Sequence, residues 1–296
     1  MDWEMFVVAG FVFSGLGSGA YIAAFGCDRR GVETAARLGT HLSWPLIGLS
    51  ILFLFFDSQR IMPVFGARPL VVFENLATSM ISIGTVLLIV FLTFSLLTSV
   101  GFWRAGWSTG VGRTVVWYIG LLLAVAVAVY PGFLLALSYG AAFWTSPFIM
   151  WLLAANAVQG GIALSGLSTT RLAGSLFPRF VVKDEKVARL FERYEQLAGV
   201  AALLLLTAHL IYTGFREASI IGYSASIPEL FAGGLAPVFW AGVLLEFVIP
   251  PLLGLGRGKG VATHDITLAS FISVLVGVFL LRWAIVAQGQ AVVMFV

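Results

Sequence analysis

The chain has 296 residues, of which 60% are hydrophobic and only 10% are charged, and its mean hydropathy is +1.01. Soluble domains carry roughly 25% charged residues, so this composition excludes a soluble globular protein and indicates an integral membrane protein. The net charge of +3 and the pI near 9.2 are typical of basic membrane loops and do not call for nucleic acid as a partner. The single cysteine, Cys27, excludes an internal disulfide, and it also excludes an iron–sulfur cluster held by this chain alone, since such a cluster needs about four thiolates.

Eight apolar runs reach the roughly 20 residues that a helix needs to cross a bilayer. In chain order the predicted spans, numbered one to eight, are 4–26, 36–57, 77–100, 114–138, 144–167, 192–215, 234–255 and 267–289. The sequence therefore predicts an all-α integral membrane protein with a single polytopic membrane domain over residues 1–296.

The one long connection, 169–196, joins spans five and six. Its apolar residues Val187, Leu190, Phe191 and Tyr194 recur at helical spacing, which predicts an amphipathic lead-in lying at the membrane surface.

The basic residues predict the orientation, because Lys and Arg concentrate in cytoplasmic loops. With both termini on the outer side, three arginines fall in outer loops (Arg60, Arg68, Arg216). Thirteen basic residues fall on the inner side: Arg29, Arg30, Arg37, Arg104, Arg113, Arg171, Arg179, Lys183, Lys186, Arg189, Arg193, Arg257 and Lys259. Arg282 remains inside span eight, and it completes the 17 basic residues.

Several polar side chains fall in the outer half of these predicted spans, where a charge is costly. They are Asp57 and Arg60 at the outer end of span two, Glu74 just before span three, Ser79 at its start, Tyr130 in span four, His209 in span six and Arg282 in span eight. Intramembrane ionisable groups tend to line a site or pathway. Each also has a plainer interpretation: an arginine reaching to the interface, a surface Asp57–Arg60 pair, a tyrosine of the interfacial aromatic belt, or a buried histidine with a local partner.

A second set lies deeper or further inward, namely His41, Glu195 and Glu246. Glu246 falls near the middle of span seven, where an unpaired carboxylate is expected to be protonated. Carboxylates and histidines at staggered depths can relay protons, although His41 and Glu195 are also explained as near-interface residues that serve loops. The three histidines make no pair at matching depth on two spans, so haem is not expected.

Four segments resemble the polysulfide reductase membrane subunit and its NrfD-type relatives. "VYPGFLLALSYGAAFWTSPF" has the family's Tyr–x–Gly turn followed by Trp–x–x–Pro at the next span. "LLRWAIVAQGQ" is similar to the family's final helix, "LFFDSQRIMPVF" to the acidic–x–x–Arg end of its second helix, and "ENLATSMISIG" to its Ser–Met–x–Ser helix opening. The order and spacing of these segments carry the resemblance, which covers the whole chain.

The resemblance implies a haem-free membrane anchor, in the cytoplasmic (inner or plasma) membrane, that binds quinol or quinone, such as menaquinone, near the outer face. It implies partners docked there, an iron–sulfur ferredoxin-like subunit and a molybdopterin catalytic subunit, which hold all the metal cofactors. Tyr130, Asp57, Arg60, Ser79 and Arg282 lie in the matching motifs, and Arg282 would be a buried counter-ion beside the quinone. Glu74, His209, Glu195, Glu246 and His41 are added from depth and chemistry alone.

Two other functional classes stay open. A secondary transporter or proton channel would use the same intramembrane charges, and "FVIPPLLG" breaks span seven as transporter helices are broken. A passive anchor would perform no quinone chemistry at all.

Overall fold

The computed structural model describes residues 5–65, 79–102, 111–138, 143–219, 226–255 and 263–293, and of 57–65, 263–264 and 291–293 it describes the backbone alone. Within these ranges all regular structure is helical, and eight helices are long and apolar enough to cross a membrane. The predicted fold class and number of spans are therefore confirmed. The orientation of the termini and the single-domain organisation stay predictions.

The spans keep the numbers given to them in the sequence. Spans one to four are Met5–Arg29, Glu33–Phe65, Met80–Gly101 and Val111–Ala136, and spans five, six and eight are Phe148–Gly166, Glu185–Ala218 and Thr263–Val293. Span seven is composite: Ala236–Val243, a π-helical turn at Leu244–Val248, and Ile249–Leu255. Two short helices, Arg171–Leu176 and Ser226–Ala232, precede spans six and seven.

Capping side chains fix where two of these helices begin. Ser79 is the N-cap of span three, and its hydroxyl accepts a hydrogen bond from the backbone N–H of Ser82 at 3.4 Å. Asp184 caps span six in the same way, through the N–H of Lys186 at 2.8 Å. The cap lies ahead of the predicted amphipathic lead-in, so the lead-in from Glu185 onward and span six form one continuous helix of 34 residues.

The π turn of span seven follows from two adjacent prolines. Pro250 lacks the N–H that would bond the Glu246 carbonyl in an α-helix, and Pro251 lacks the one that would bond it in a π-helix. The ladder continues instead with the N–H of Ile249 donating to the carbonyl of Leu244. The Glu246 carbonyl is left to find a donor on another helix.

Spans one, five and eight are the most buried of the eight and form the centre of the bundle. Spans one and five approach backbone to backbone, because a β-carbon on Gly19 would overlap the Ala157 carbonyl, with the carbonyl carbon 2.6 Å away. The small residues of "GLGSG" at 15–19 thus serve close helix packing, which is what GxxxG spacing favours in membranes.

Candidate functional site

Arg282 is 1% exposed and lies at the meeting point of the three central spans. Its Nη1 donates to the Phe11 carbonyl on span one at 2.6 Å, and its Nη2 donates to the Leu153 carbonyl on span five at 2.6 Å. A β-carbon on Gly15 would be 2.6 Å from the Arg282 Cζ, so Gly15 supplies the space for the guanidinium. Arg282 therefore does not extend to the interface, and it joins span eight to spans one and five.

Glu246 is also 1% exposed, on the π turn of span seven. A β-carbon on Gly277 of span eight would be 2.7 Å from the Glu246 Cβ, so the two helices are in close contact at this level. Within the described residues neither carboxyl oxygen of Glu246 has a hydrogen-bond partner. Arg282 is near enough to attract a negative charge on this carboxyl group, and Glu195 is near enough to repel one.

Gln159 links the two buried glutamates. Its Nε2 lies 3.3 Å from the Glu195 Oε1 and 3.4 Å from the Glu246 backbone carbonyl, the group that the two prolines leave without a helical donor. Gly199 leaves room for this amide on span six. We call Gln159, Glu195, Glu246 and Arg282 the buried polar cluster.

Glu195 is 1% exposed. Its Oε1 contacts Gln159 on span five, and its place on a proton path stays a prediction. His41 lies elsewhere: it is half-buried, its Nδ1 is 2.8 Å from the Arg37 carbonyl, and its ring is 5.1 Å from that of Phe180. Phe180 belongs to the connection before span six, so these contacts agree with a loop-supporting role for His41, whose place on a proton path stays a prediction.

His209 lies on the same buried face of span six as Glu195, about 21 Å further along the helix at 1.5 Å per residue. It is fully buried, and its ring meets that of Phe143 edge to face at 4.9 Å. Neither ring nitrogen has a hydrogen-bond partner among the described residues, and the same holds for both ends of the Asn156 amide on span five. Burying unpartnered polar groups is costly, so His209 and Asn156 are candidates for a functional site.

Tyr130 contacts the start of span three, at the end of the bundle that is predicted to lie outside. The Tyr130 hydroxyl donates to the carbonyl of Met80, the residue after Ser79, at 2.8 Å. A β-carbon on Gly84 would overlap the Tyr130 ring, so this glycine makes room for the ring against span three. Of the other residues predicted at this end, Glu74 and the side chains of Asp57 and Arg60 lie outside the described part of the chain.

Gln159, Asn156 and the role of Gly15 were not predicted from the sequence. A signal was present, because two amide side chains three residues apart share one face of an otherwise apolar span and must find partners in the membrane. Among the described residues no group of three His, Cys, Asp or Glu side chains could hold a metal ion.

Two of the segments that carried the family resemblance pack against each other. Trp144, which opens "WTSP", donates its Nε1 to the Ile285 carbonyl of span eight at 3.1 Å. A β-carbon on Gly289, in the closing Gly–Gln, would be 2.5 Å from the Trp144 Cδ1. The two motifs thus form one contact between the segment that precedes span five and span eight.

The sequence signature of the family described as "Polysulphide reductase, NrfD" matches residues 1–294. The chain belongs to this family. A curated relative of the NrfD-family chain is the C subunit of polysulfide reductase from Wolinella succinogenes, with 25% identity over 316 residues. The alignment covers 98% of this chain and 95% of the relative. The resemblance drawn from the motifs is therefore confirmed at the level of the family.

Proposed function

We propose that this NrfD-family chain is the membrane anchor subunit of a respiratory oxidoreductase in the cytoplasmic membrane. It binds quinol or quinone near the outer face and exchanges electrons with an iron–sulfur subunit docked there. The eight apolar helices, the family match over nearly the whole chain and the name of the Wolinella relative support this proposal. Its one cysteine cannot ligate an iron–sulfur cluster by itself, so the electrons pass to a partner subunit, beside a molybdopterin catalytic subunit.

The observation that carries the quinone site is the contact between Tyr130 and the start of span three. The Tyr130 hydroxyl donates its one hydrogen bond to the Met80 carbonyl, so its oxygen remains free to accept a hydrogen bond from a quinol hydroxyl. Ser79 precedes Met80 in the chain and is proposed for the same site. Asp57, Arg60 and Glu74 come from the chain segments before span three, and a carboxylate there would take the quinol proton.

His209 is proposed for the same quinone site on depth and chemistry. Its imidazole is buried, and a neutral imidazole can accept one proton and donate another, as a proton carrier must.

The buried polar cluster is proposed as the path by which protons reach that site. Gln159 bridges the Glu195 carboxyl and the Glu246 carbonyl, while Arg282 offers a fixed positive charge to the Glu246 carboxylate formed when its proton leaves. A carboxyl group that can be charged or neutral beside a cation is suited to passing a proton through an apolar medium.

The Tyr130→Phe variant of the assembled complex tests the quinone site. We expect quinol oxidation to fall about tenfold or more, because one hydrogen bond to the reacting quinol is worth about 1.4 kcal/mol. Tyr118→Phe is the matched control, since Tyr118 lies on the same span, is 48% exposed and packs against Phe25. Unchanged quinol turnover and quinone-analogue binding in the Tyr130 variant would show that the site is elsewhere.

A proton channel or secondary transporter is the second candidate. Span seven is broken at the π turn that carries the buried Glu246, and Gln159 connects this turn to the buried Glu195. This break favours the second candidate. Reconstituted vesicles separate the two functions: a channel moves protons in the absence of quinol, whereas the proposed anchor moves them only while quinol is oxidised. Loss of turnover in the Tyr130 variant with the complex intact would also argue against a passive anchor.

A further inference from the structure

An apolar cavity of about 160 Å³ opens between spans one, five and six, near the end of span one. Its walls include Ile22 from span one, Ile162 from span five and Phe191 from span six, and no member of the buried polar cluster lines it. Cavities of about this size lined by Leu, Ile and Phe stay dry and accept apolar ligands. Hydrocarbon is therefore the occupant that its walls favour.

The mouth of this cavity carries a positive charge. Arg30 lines it, with Nη2 donating to the Tyr194 hydroxyl at 2.8 Å and Cζ lying 4.8 Å from the Tyr194 ring centroid. Among the described residues no carboxylate forms an ion pair with Arg30, and the neighbouring Asp28 is paired with Arg113. The arginine is thus fixed in position while its charge is not neutralised by the protein.

We propose that this cavity binds a short segment of one acyl chain of an anionic phospholipid, whose phosphate is held by Arg30. The apolar walls fit the acyl group and the cation fits the phosphate, which accepts hydrogen bonds from guanidinium groups readily. The predicted orientation places this end of span one at the inner interface, where anionic headgroups attract basic residues. This lipid site goes beyond the proposed quinone chemistry and uses none of its residues.

Cys27 provides a reporter inside the cavity, because it is one of the lining residues and the only cysteine of the chain. The full-length chain, purified and stripped of lipid in detergent, is titrated with phosphatidylglycerol or with phosphatidylcholine. The rate at which N-ethylmaleimide labels Cys27 is measured by peptide mass spectrometry. We expect phosphatidylglycerol to slow labelling at lower concentrations than phosphatidylcholine.

Three variants test where the phosphate and the acyl group of the lipid bind. Arg30→Gln should raise the concentration of phosphatidylglycerol needed for protection about fivefold, the effect of one basic residue at a membrane surface, and Arg30→Lys should restore it. Ala23→Phe should fill the cavity and abolish protection by either lipid. Arg171→Gln is the control, because Arg171 is an exposed arginine that does not line the cavity.

Four results would overturn the lipid site. If phosphatidylcholine protects Cys27 from labelling as well as phosphatidylglycerol does, Arg30 recognises no headgroup charge. If glycerol phosphate protects it equally well, no acyl group enters the cavity. Equal weakening by Arg171→Gln and Arg30→Gln would reduce the effect to general surface charge. Full protection in Ala23→Phe would place the lipid outside this cavity.

Discussion

Replacing Gly15 by alanine should destabilise the bundle through Arg282 and through no other residue. The three atoms nearest to a β-carbon built on Gly15 all belong to the Arg282 guanidinium, with Cζ at 2.6 Å. A new methyl group therefore forces the guanidinium to move by about 1 Å to restore ordinary contact. Its two hydrogen bonds, to the carbonyls of Phe11 and Leu153, are 2.6 Å long and cannot both survive such a displacement.

The magnitude follows from those two bonds. Polar contacts between membrane helices are worth about 0.6 kcal/mol on average and about 1.7 kcal/mol at most, so losing both costs about 1–3 kcal/mol. Alanine itself favours a helix over glycine by up to about 1 kcal/mol, which offsets part of the loss. We expect Gly15→Ala to lower the free energy of unfolding by about 1–2 kcal/mol, and to be neutral or stabilising once Arg282 is also alanine.

The assay is a double-mutant cycle of Gly15→Ala and Arg282→Ala, with unfolding followed by SDS titration in mixed micelles. A coupling free energy of about 1–3 kcal/mol is expected, since the two side chains would compete for one space. Gly19→Ala is the matched control: its β-carbon would overlap the Ala157 backbone, so removing Arg282 should not rescue it. Additive effects of the two changes would refute the assignment of Gly15 as the space for Arg282.

Three further outcomes are expected. Gly84→Ala should lower quinol turnover of the complex as Tyr130→Phe does, because its β-carbon would overlap the Tyr130 ring and hydroxyl and displace that hydroxyl from its hydrogen bond to Met80. Gly289→Ala should lower the melting temperature of the purified chain by a few degrees, since it displaces the Trp144 indole from its hydrogen bond to span eight. Glu246→Gln keeps the side-chain volume but cannot release a proton. It should abolish proton movement coupled to quinol oxidation in vesicles, while quinone-analogue binding persists. Coupled proton movement at the wild-type rate would exclude Glu246 from the proton path.

The sequence by itself determined the eight spans and the family. An apolar run of about 20 residues has one way to satisfy its backbone in a bilayer, which is to form a helix, so composition and length were sufficient. The order of the motifs was sufficient to recognise the family, because each motif is a short contiguous segment of the sequence. Helix ends differed: span two continues to Phe65, and the cap at Asp184 lets the polar lead-in and span six continue as a single helix.

The partners of the buried polar groups were decided by the tertiary structure alone. Arg282 was predicted to be a buried counter-ion beside the quinone, and only the structure shows that, among the described residues, its hydrogen bonds go to carbonyls of spans one and five. Gln159 touches both Glu195 and Glu246, residues 36 and 87 positions away. Such contacts depend on how each helix is rotated and how closely its glycines let a neighbour approach, and these quantities are fixed only when the helices pack together.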